Sequence, residues 1–154
     1  MVYYKTIKDF YLHTPKPLVL LGIDYGKKKI GLSISNQNNT LALRYKTIYQ
    51  GPTTIDDLAQ LVQELSITGI VIGYPLETSG NEGSSCQEVL KFCDKVLQSL
   101  PIPIFLQDER FSTKIIGQGL RASKTKIKKI IQLEDSLAAA AILQTALDQI
   151  SFLS

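Results

Sequence analysis

The sequence predicts a mixed α/β domain, and three observations carry that prediction. The chain has 154 residues, enough for one domain with a real core. Three strand-like segments follow one another near its start. After them, the hydrophobic period switches to helical spacing, interrupted by short buried strands. Such an order builds a five-stranded mixed sheet, a three-strand antiparallel meander extended by αβ units, with helices on both faces.

Residues 1–17 are polar and aromatic and end on Pro15 and Pro17, so they read as an extension before a domain spanning 18–150. Its lone histidine, His13, reads as a surface residue. Leu18 to Asp24 is an apolar run with β-branched Val19 and Ile23, a buried strand. Ile30 to Ser35 alternates apolar and small residues, a half-buried strand, and the short Tyr25–Lys29 connection suits a hairpin. Leu41 to Ile48 is a third strand.

Ile55, Leu58, Leu61, Val62 and Leu65 then fall at helical spacing, with Thr54 and Asp57 as the expected capping pair. Gly69 to Gly73 is a short buried strand, followed by a loop holding Pro75, Gly80 and Gly83. Ser85 and Glu88 form a second expected capping box, ahead of a helix face marked by Val89, Cys93, Val96 and Leu100. Pro103 to Gln107 is another strand. Ser112 or Thr113 would cap a short helix ending near Gly117 or Gly119, and a last helix is expected from about Glu134 to Ile150. Right-handed crossovers would set the later strands beside the first, leaving Leu18–Asp24 near the centre of the sheet.

Composition narrows the function classes. Apolar residues make up 44% of the chain and charged residues 20%, an ordinary globular balance. The longest apolar run, around Leu137 to Leu143, is too short to cross a bilayer, and the opening residues carry no apolar signal core. Cys86 and Cys93 lie seven apart in a helix, roughly 10 Å by helix rise, too far for a disulfide. Reduced core cysteines suit a cytoplasmic protein.

The net charge of +3 says little, but its distribution says more. Lys114, Arg121, Lys124, Lys126, Lys128 and Lys129 form an acid-free basic segment that reads as a loop, and Lys27, Lys28 and Lys29 form a second cluster. Clustered cations are the footprint of a polyanion partner, although solvated loops have the same composition.

Three acids stand at the ends of three elements. Asp24 closes an apolar strand, where a carboxylate is costly without compensation, or where it simply opens a turn. Glu109, in Asp108-Glu109-Arg110, follows the strand Ile104-Phe105-Leu106. There it is either a ligand, with Arg110 on a phosphate, or part of a surface ion-pair cluster. Adjacent strand residues point to opposite faces, so Asp108 and Glu109 cannot both face one site if the strand continues through them. Asp135, beside Glu134, is either a third ligand or an N-cap. If all three converge on one sheet edge, their repulsion raises their pKa values unless Mg²⁺ or Mn²⁺ is bound, and both ions prefer oxygen ligands. That arrangement suits phosphodiester hydrolysis.

Residues 21–35, Leu-Gly-Ile-Asp-Tyr-Gly-Lys-Lys-Lys-Ile-Gly-Leu-Ser-Ile-Ser, resemble the opening motif of the YqgF/RuvX family. Three further blocks match in order: Val71-Ile72-Gly73-Tyr74-Pro75-Leu76 with Gly80 and Gly83, Asp108 to Thr113, and Asp135-Ser136-Leu137-Ala138-Ala139 with Ile142-Leu143-Gln144. The resemblance covers residues 18–150. It implies an RNase H-like fold, a nuclease acting on pre-16S rRNA or, by older description, on Holliday junctions, and acidic site residues at Asp24, Glu109 and Asp135. The chain departs from the family at Tyr74, where Leu is usual, at Glu134, where an apolar residue is usual, and in its longer start.

The leading expectation is therefore an endonuclease trimming the 5' end of precursor 16S rRNA in ribosome biogenesis. It would act as a monomer or homodimer on rRNA or ribosomal particles, with Lys27–Lys29, Arg110, Lys124, Lys126, Lys128 and Lys129 on the nucleic acid. Resolution of branched DNA, which needs a symmetric dimer, uses the same acids. A non-catalytic nucleic-acid-binding or transcription factor would not need all three acids. An actin-like nucleotide binder, which opens similarly, needs a second domain that 154 residues do not hold.

Overall fold

The computed structural model describes residues 3–77, 79–109 and 124–153, and for 124–135 the backbone alone. In chain order the elements are β1 (Tyr3–Tyr4), α1 (Ile7–His13), β2 (Leu20–Asp24), β3 (Lys29–Ser35), β4 (Ala42–Tyr49), α2 (Thr54–Glu64), β5 (Gly69–Tyr74), α3 (Ser84–Ser99), β6 (Ile104–Asp108) and α4 (Lys124–Ser151). The six strands form one mixed sheet in the order β1-β6-β5-β2-β3-β4. β2–β3 and β3–β4 are antiparallel, and β2–β5, β5–β6 and β1–β6 are parallel. The meander and the interior place of β2 are as expected from sequence. The sixth strand is the addition: Tyr3 and Tyr4 pair with Ile104 and Phe105, so the polar opening segment supplies a sheet edge. Phe10 of α1 is fully buried, so this segment also supplies core.

Alternation along the inner strands builds two cores. Leu21, Ile23, Ile70, Ile72, Ile104 and Leu106 pack toward Leu58, Val62, Val89, Phe92 and Val96 of α2 and α3. Leu20, Val71 and Phe105 pack the other way, with Phe10 of α1 and Ile142, Leu143 and Leu147 of α4. Strands buried on both faces read as unbroken apolar runs, and that is why their amphipathic period is faint in the sequence.

Both expected capping boxes are corrected. Thr53, not Thr54, is the N-cap of α2, and no side chain caps that helix. Thr54 instead bonds Gly51, accepting from its N–H at 2.9 Å and donating to its carbonyl at 3.0 Å. Gly83 precedes α3, also without a side-chain cap, so Ser85 lies inside the helix. The larger correction concerns α4, which begins at Lys124, ten residues before the expected start at Glu134. Lys124, Lys126, Lys128 and Lys129 therefore lie on helical backbone and not in a loop, and Asp135 is interior to the helix and cannot be its N-cap. The expected short helix around Ser112–Gly119 lies outside the described residues. Cys86 and Cys93 are free and buried, and burial pushes the Cys93 thiol up to about 12.

Candidate active site

The direction of α4 decides what it brings to the sheet. Gln144 accepts from the Ala42 N–H at 2.9 Å and donates to the Thr40 carbonyl at 3.0 Å, at the start of β4. Ala42 pairs with Ser35 at the end of β3, and the Ser35 hydroxyl accepts from the N–H of Leu20 at the start of β2. Earlier on the helix, Ala139 and Leu143 lie against Gly22, and Ile142 against Gly73 near the end of β5. Thus α4 runs opposite to β2 and β5, and its amino-terminal half leads toward their carboxyl ends.

Close approach is possible because β2 carries glycine at the crossing. A Cβ on Gly22 would stand 2.2 Å from Ser33 Oγ, 2.8 Å from Leu143 Cβ and 2.9 Å from the Ala139 carbonyl. The buried Ser33 hydroxyl donates to that same carbonyl at 2.7 Å, pinning the helix to the sheet.

Asp24 ends β2 and pairs with Gly31. By alternation it shares the α4 face with Gly22. Glu109 directly follows β6, and its N–H donates to the Tyr74 carbonyl at 3.3 Å. Its carboxylate lies over Gly73, where an added Cβ would stand 2.8 Å from both Cδ and Oε2. The two strands that flank β5, β2 and β6, thus deliver Asp24 and Glu109 to the same face, on either side of Gly73. Asp108 alternates to the other face and is exposed. Of the two, Glu109 is the one that shares the face of Asp24.

The electrostatics agree with the geometry. The Glu109 carboxyl is raised to about 7, first by burial and then by the negative charges of Asp24 and Asp108. A half-buried carboxyl raised by burial and by a neighbouring carboxylate suits a hard cation, which would remove both the desolvation cost and the repulsion. Among the described residues no group of three His, Cys, Asp or Glu side chains forms around them, and the side chain of Asp135 lies outside that description.

The basic residues divide. Lys27 pairs with Glu88 at 3.1 Å. Lys28 is exposed, and its carbonyl accepts from the Gln50 N–H at 2.8 Å. Lys29 lies two residues before Gly31, on the face of Asp24 by alternation. Arg110 lies outside the described residues, as do the side chains of Lys124, Lys126, Lys128 and Lys129.

Sequence reasoning missed Gln107. It pairs with Gly73, is buried, and its Oε1 has no hydrogen-bond partner among the described residues. The signal was available: a polar side chain in the otherwise apolar Ile104-Phe105-Leu106 run.

Comparison with known proteins accords with this architecture. Residues 18–149 match the family model described as RuvX, Holliday junction resolvase. A Rickettsia conorii protein named "Putative pre-16S rRNA nuclease" is 34% identical over 148 residues, covering 95% of this chain and 96% of its own. An Ehrlichia canis protein of the same name is 34% identical, covering 94% of each chain. Among solved structures, Thermus thermophilus RuvC in complex with a Holliday junction substrate superposes with a TM-score of 0.51 at 15% identity, covering 84% of this chain and 93% of that one. That likeness is one of fold, and the fold is RNase H-like. With a family match running almost from end to end and relatives aligned over nearly their whole length, the chain belongs to the RuvX family.

Proposed function

We propose that the protein is a divalent-metal-dependent endonuclease that hydrolyses phosphodiester bonds in structured nucleic acid, with precursor 16S rRNA as its substrate in the cytoplasm. The observation that carries the reading is the pairing of Asp24 and Glu109 over Gly73, where each carboxylate makes the other costly. The names of the relatives favour the rRNA substrate. The family description favours branched DNA as the second reading, and that chemistry uses the same acids.

Asp24 and Glu109 would hold Mg²⁺ or Mn²⁺, with Asp135 as the third ligand. Helical periodicity supports Asp135 over Glu134. Position 135 precedes Ala139 by four residues and Ile142 by seven, on the stripe that meets the sheet. Position 134 falls about 100° further round, away from it. From Ala139, one turn back along α4 moves toward the Asp24 end of β2. When bound, the metal supplies an activated water and neutralises charge on the phosphate oxygens. Asp24 and Glu109 would orient that centre, the bound cation keeping the Glu109 carboxylate ionised. Lys29, on the same face, holds a phosphate by charge without reading a base.

The test is to incubate pure protein with precursor 16S rRNA and with a four-way DNA junction, each with Mg²⁺ or Mn²⁺, and to map the ends produced. We expect defined ends on the rRNA and their near-complete loss in Asp24→Asn, which keeps shape but removes charge. Cleavage by Asp24→Asn at the wild-type rate would sink the mechanism. Cleavage of the junction alone would move the substrate to branched DNA.

A further inference from the structure

On the opposite face of the sheet from Asp24, the next residue opens a groove of about 630 Å³. Three walls enclose it. Tyr25 and Lys27 come from the β2–β3 turn, Gln50, Gly51 and Pro52 from the β4–α2 connection with Thr54 and Ile55 opening α2, and Glu88, Lys91, Phe92 and Lys95 from α3. The turn is held in place by Gln50, whose Nε2 donates to the Gly26 carbonyl at 2.6 Å. The half-buried Tyr25 ring rests against Phe92 with centroids 4.9 Å apart. Lys91 and Lys95 are exposed and four residues apart, so their amines stand over one side of α3. The groove therefore carries three ammonium groups against one carboxylate, Glu88. That carboxylate is held by Lys27 at 3.1 Å in a solvent-exposed pair, a kind of contact worth little and easily exchanged.

We infer that this groove binds single-stranded nucleic acid passing over the carboxyl edge of β2 from the catalytic face, with Lys91 and Lys95 on its phosphates, Tyr25 against a base and Glu88 as an internal competitor for Lys27. The inference rests on the nuclease reading and adds four residues, Tyr25, Glu88, Lys91 and Lys95, that the basic clusters of the sequence do not contain. The occupant follows from the lining. Ammonium groups spaced along a helix match a phosphodiester chain, which binds by charge without sequence. A partly exposed ring suits one unstacked base. The Lys27–Glu88 pair keeps the groove partly neutral until a phosphate displaces the carboxylate.

The experiment measures binding of a fluorescein-labelled single-stranded oligouridine, and of a duplex RNA of equal length, in EDTA so that no hydrolysis occurs. It compares wild type with Lys91→Ala/Lys95→Ala, with Glu88→Gln, and with a charge-matched double variant remote from the groove, Lys8→Ala/Lys46→Ala. All four are checked for unchanged circular dichroism and melting. The Lys91/Lys95 variant should bind the single strand several-fold more weakly, with a log–log salt slope shallower by about 1.4, the loss of two phosphate contacts. Glu88→Gln should bind more tightly, and the remote double variant should match wild type. No single-strand binding by wild type, wild-type affinity and slope in the Lys91/Lys95 variant, or an equal loss in the remote variant each overturns the groove. An equal loss on the duplex overturns its assignment to single strands. Cleavage assays on the same proteins separate the two claims. If wild type cuts but the groove variants bind and cut like it, the groove fails and the nuclease reading stands. If wild type binds with the expected pattern but never cuts, the nuclease reading fails and the groove remains.

Discussion

Glu109 shows how much a single side chain can report. Its carboxyl is raised to about 7 by burial, and then by Asp24 and Asp108. In the unfolded chain the same group titrates near 4.3. Between these values the folded state binds more protons than the unfolded state, so stability falls as pH rises through that window. The metal-free protein should therefore be more stable at pH 5 than at pH 7.5 by urea denaturation. Glu109→Gln, which cannot ionise, should remove most of that difference, and saturating Mg²⁺ should flatten it in wild type. A Glu109→Gln protein with the full wild-type pH slope would show that other groups produce it. Asp24 and Glu109 stood out in the sequence as candidates because each falls at the end of an apolar strand. Alternation set Asp108 and Glu109 on opposite faces only if the strand continued. Which of them faces Asp24 required the strand end and the register of β5 with β6.

At the scale of elements, helix α4 is both the most informative part of the structure and the least legible in the sequence. Its carboxyl-terminal half was plain from Leu137-Ala-Ala-Ala-Ala-Ile-Leu, small residues fit for close packing. Its beginning was hidden because Lys124, Lys126, Lys128 and Lys129 place positive charge at the end where the helix dipole favours acids, and no acid stands in the first turn. Basic composition therefore read as loop. The crossing at Gly22 makes its own prediction. Ala there would drive a methyl into Ser33 Oγ, Leu143 and the Ala139 carbonyl at once, and two of those three contacts belong to the helix. Overpacking of this kind costs about 2 kcal/mol. Gly22→Ala should lower the urea midpoint accordingly. Under the proposed site, a helix lifted at Gly22 would also carry Asp135 away from Asp24, so cleavage should fall even under conditions where the variant is fully folded. An unaltered urea midpoint would mean that α4 does not press on β2 as described.

At the scale of the whole molecule, the two basic clusters of the sequence lie toward one end of the sheet. Lys27 and Lys28 follow Asp24 in the β2–β3 turn, Lys29 opens β3, and the amino-terminal turns of α4 lead toward the same carboxyl edge. Lys124, Lys126, Lys128 and Lys129 are therefore carried to the acids' end of the sheet by a helix whose own dipole is positive there. A helical platform changes the consequence of removing them. Lysines on a loop would act as a loose cloud, whereas helical backbone would fix the points from which any phosphate contacts are made. On a single strand each phosphate contact contributes about −0.7 to the log–log salt slope, so loss of all four should flatten it by up to about 2.8. Replacing the four with Ala should also raise helix propensity and so leave the fold intact. In a titration of precursor rRNA between low and moderate salt, the quadruple variant should bind weakly and with a flatter slope than wild type. Its Mg²⁺ affinity, read by calorimetry without nucleic acid, should stay close to wild type because the acids remain in place. A slope equal to wild type would assign the phosphate contacts elsewhere, to Lys29, Arg110 or the α3 groove, and would make the start of α4 a structural element only.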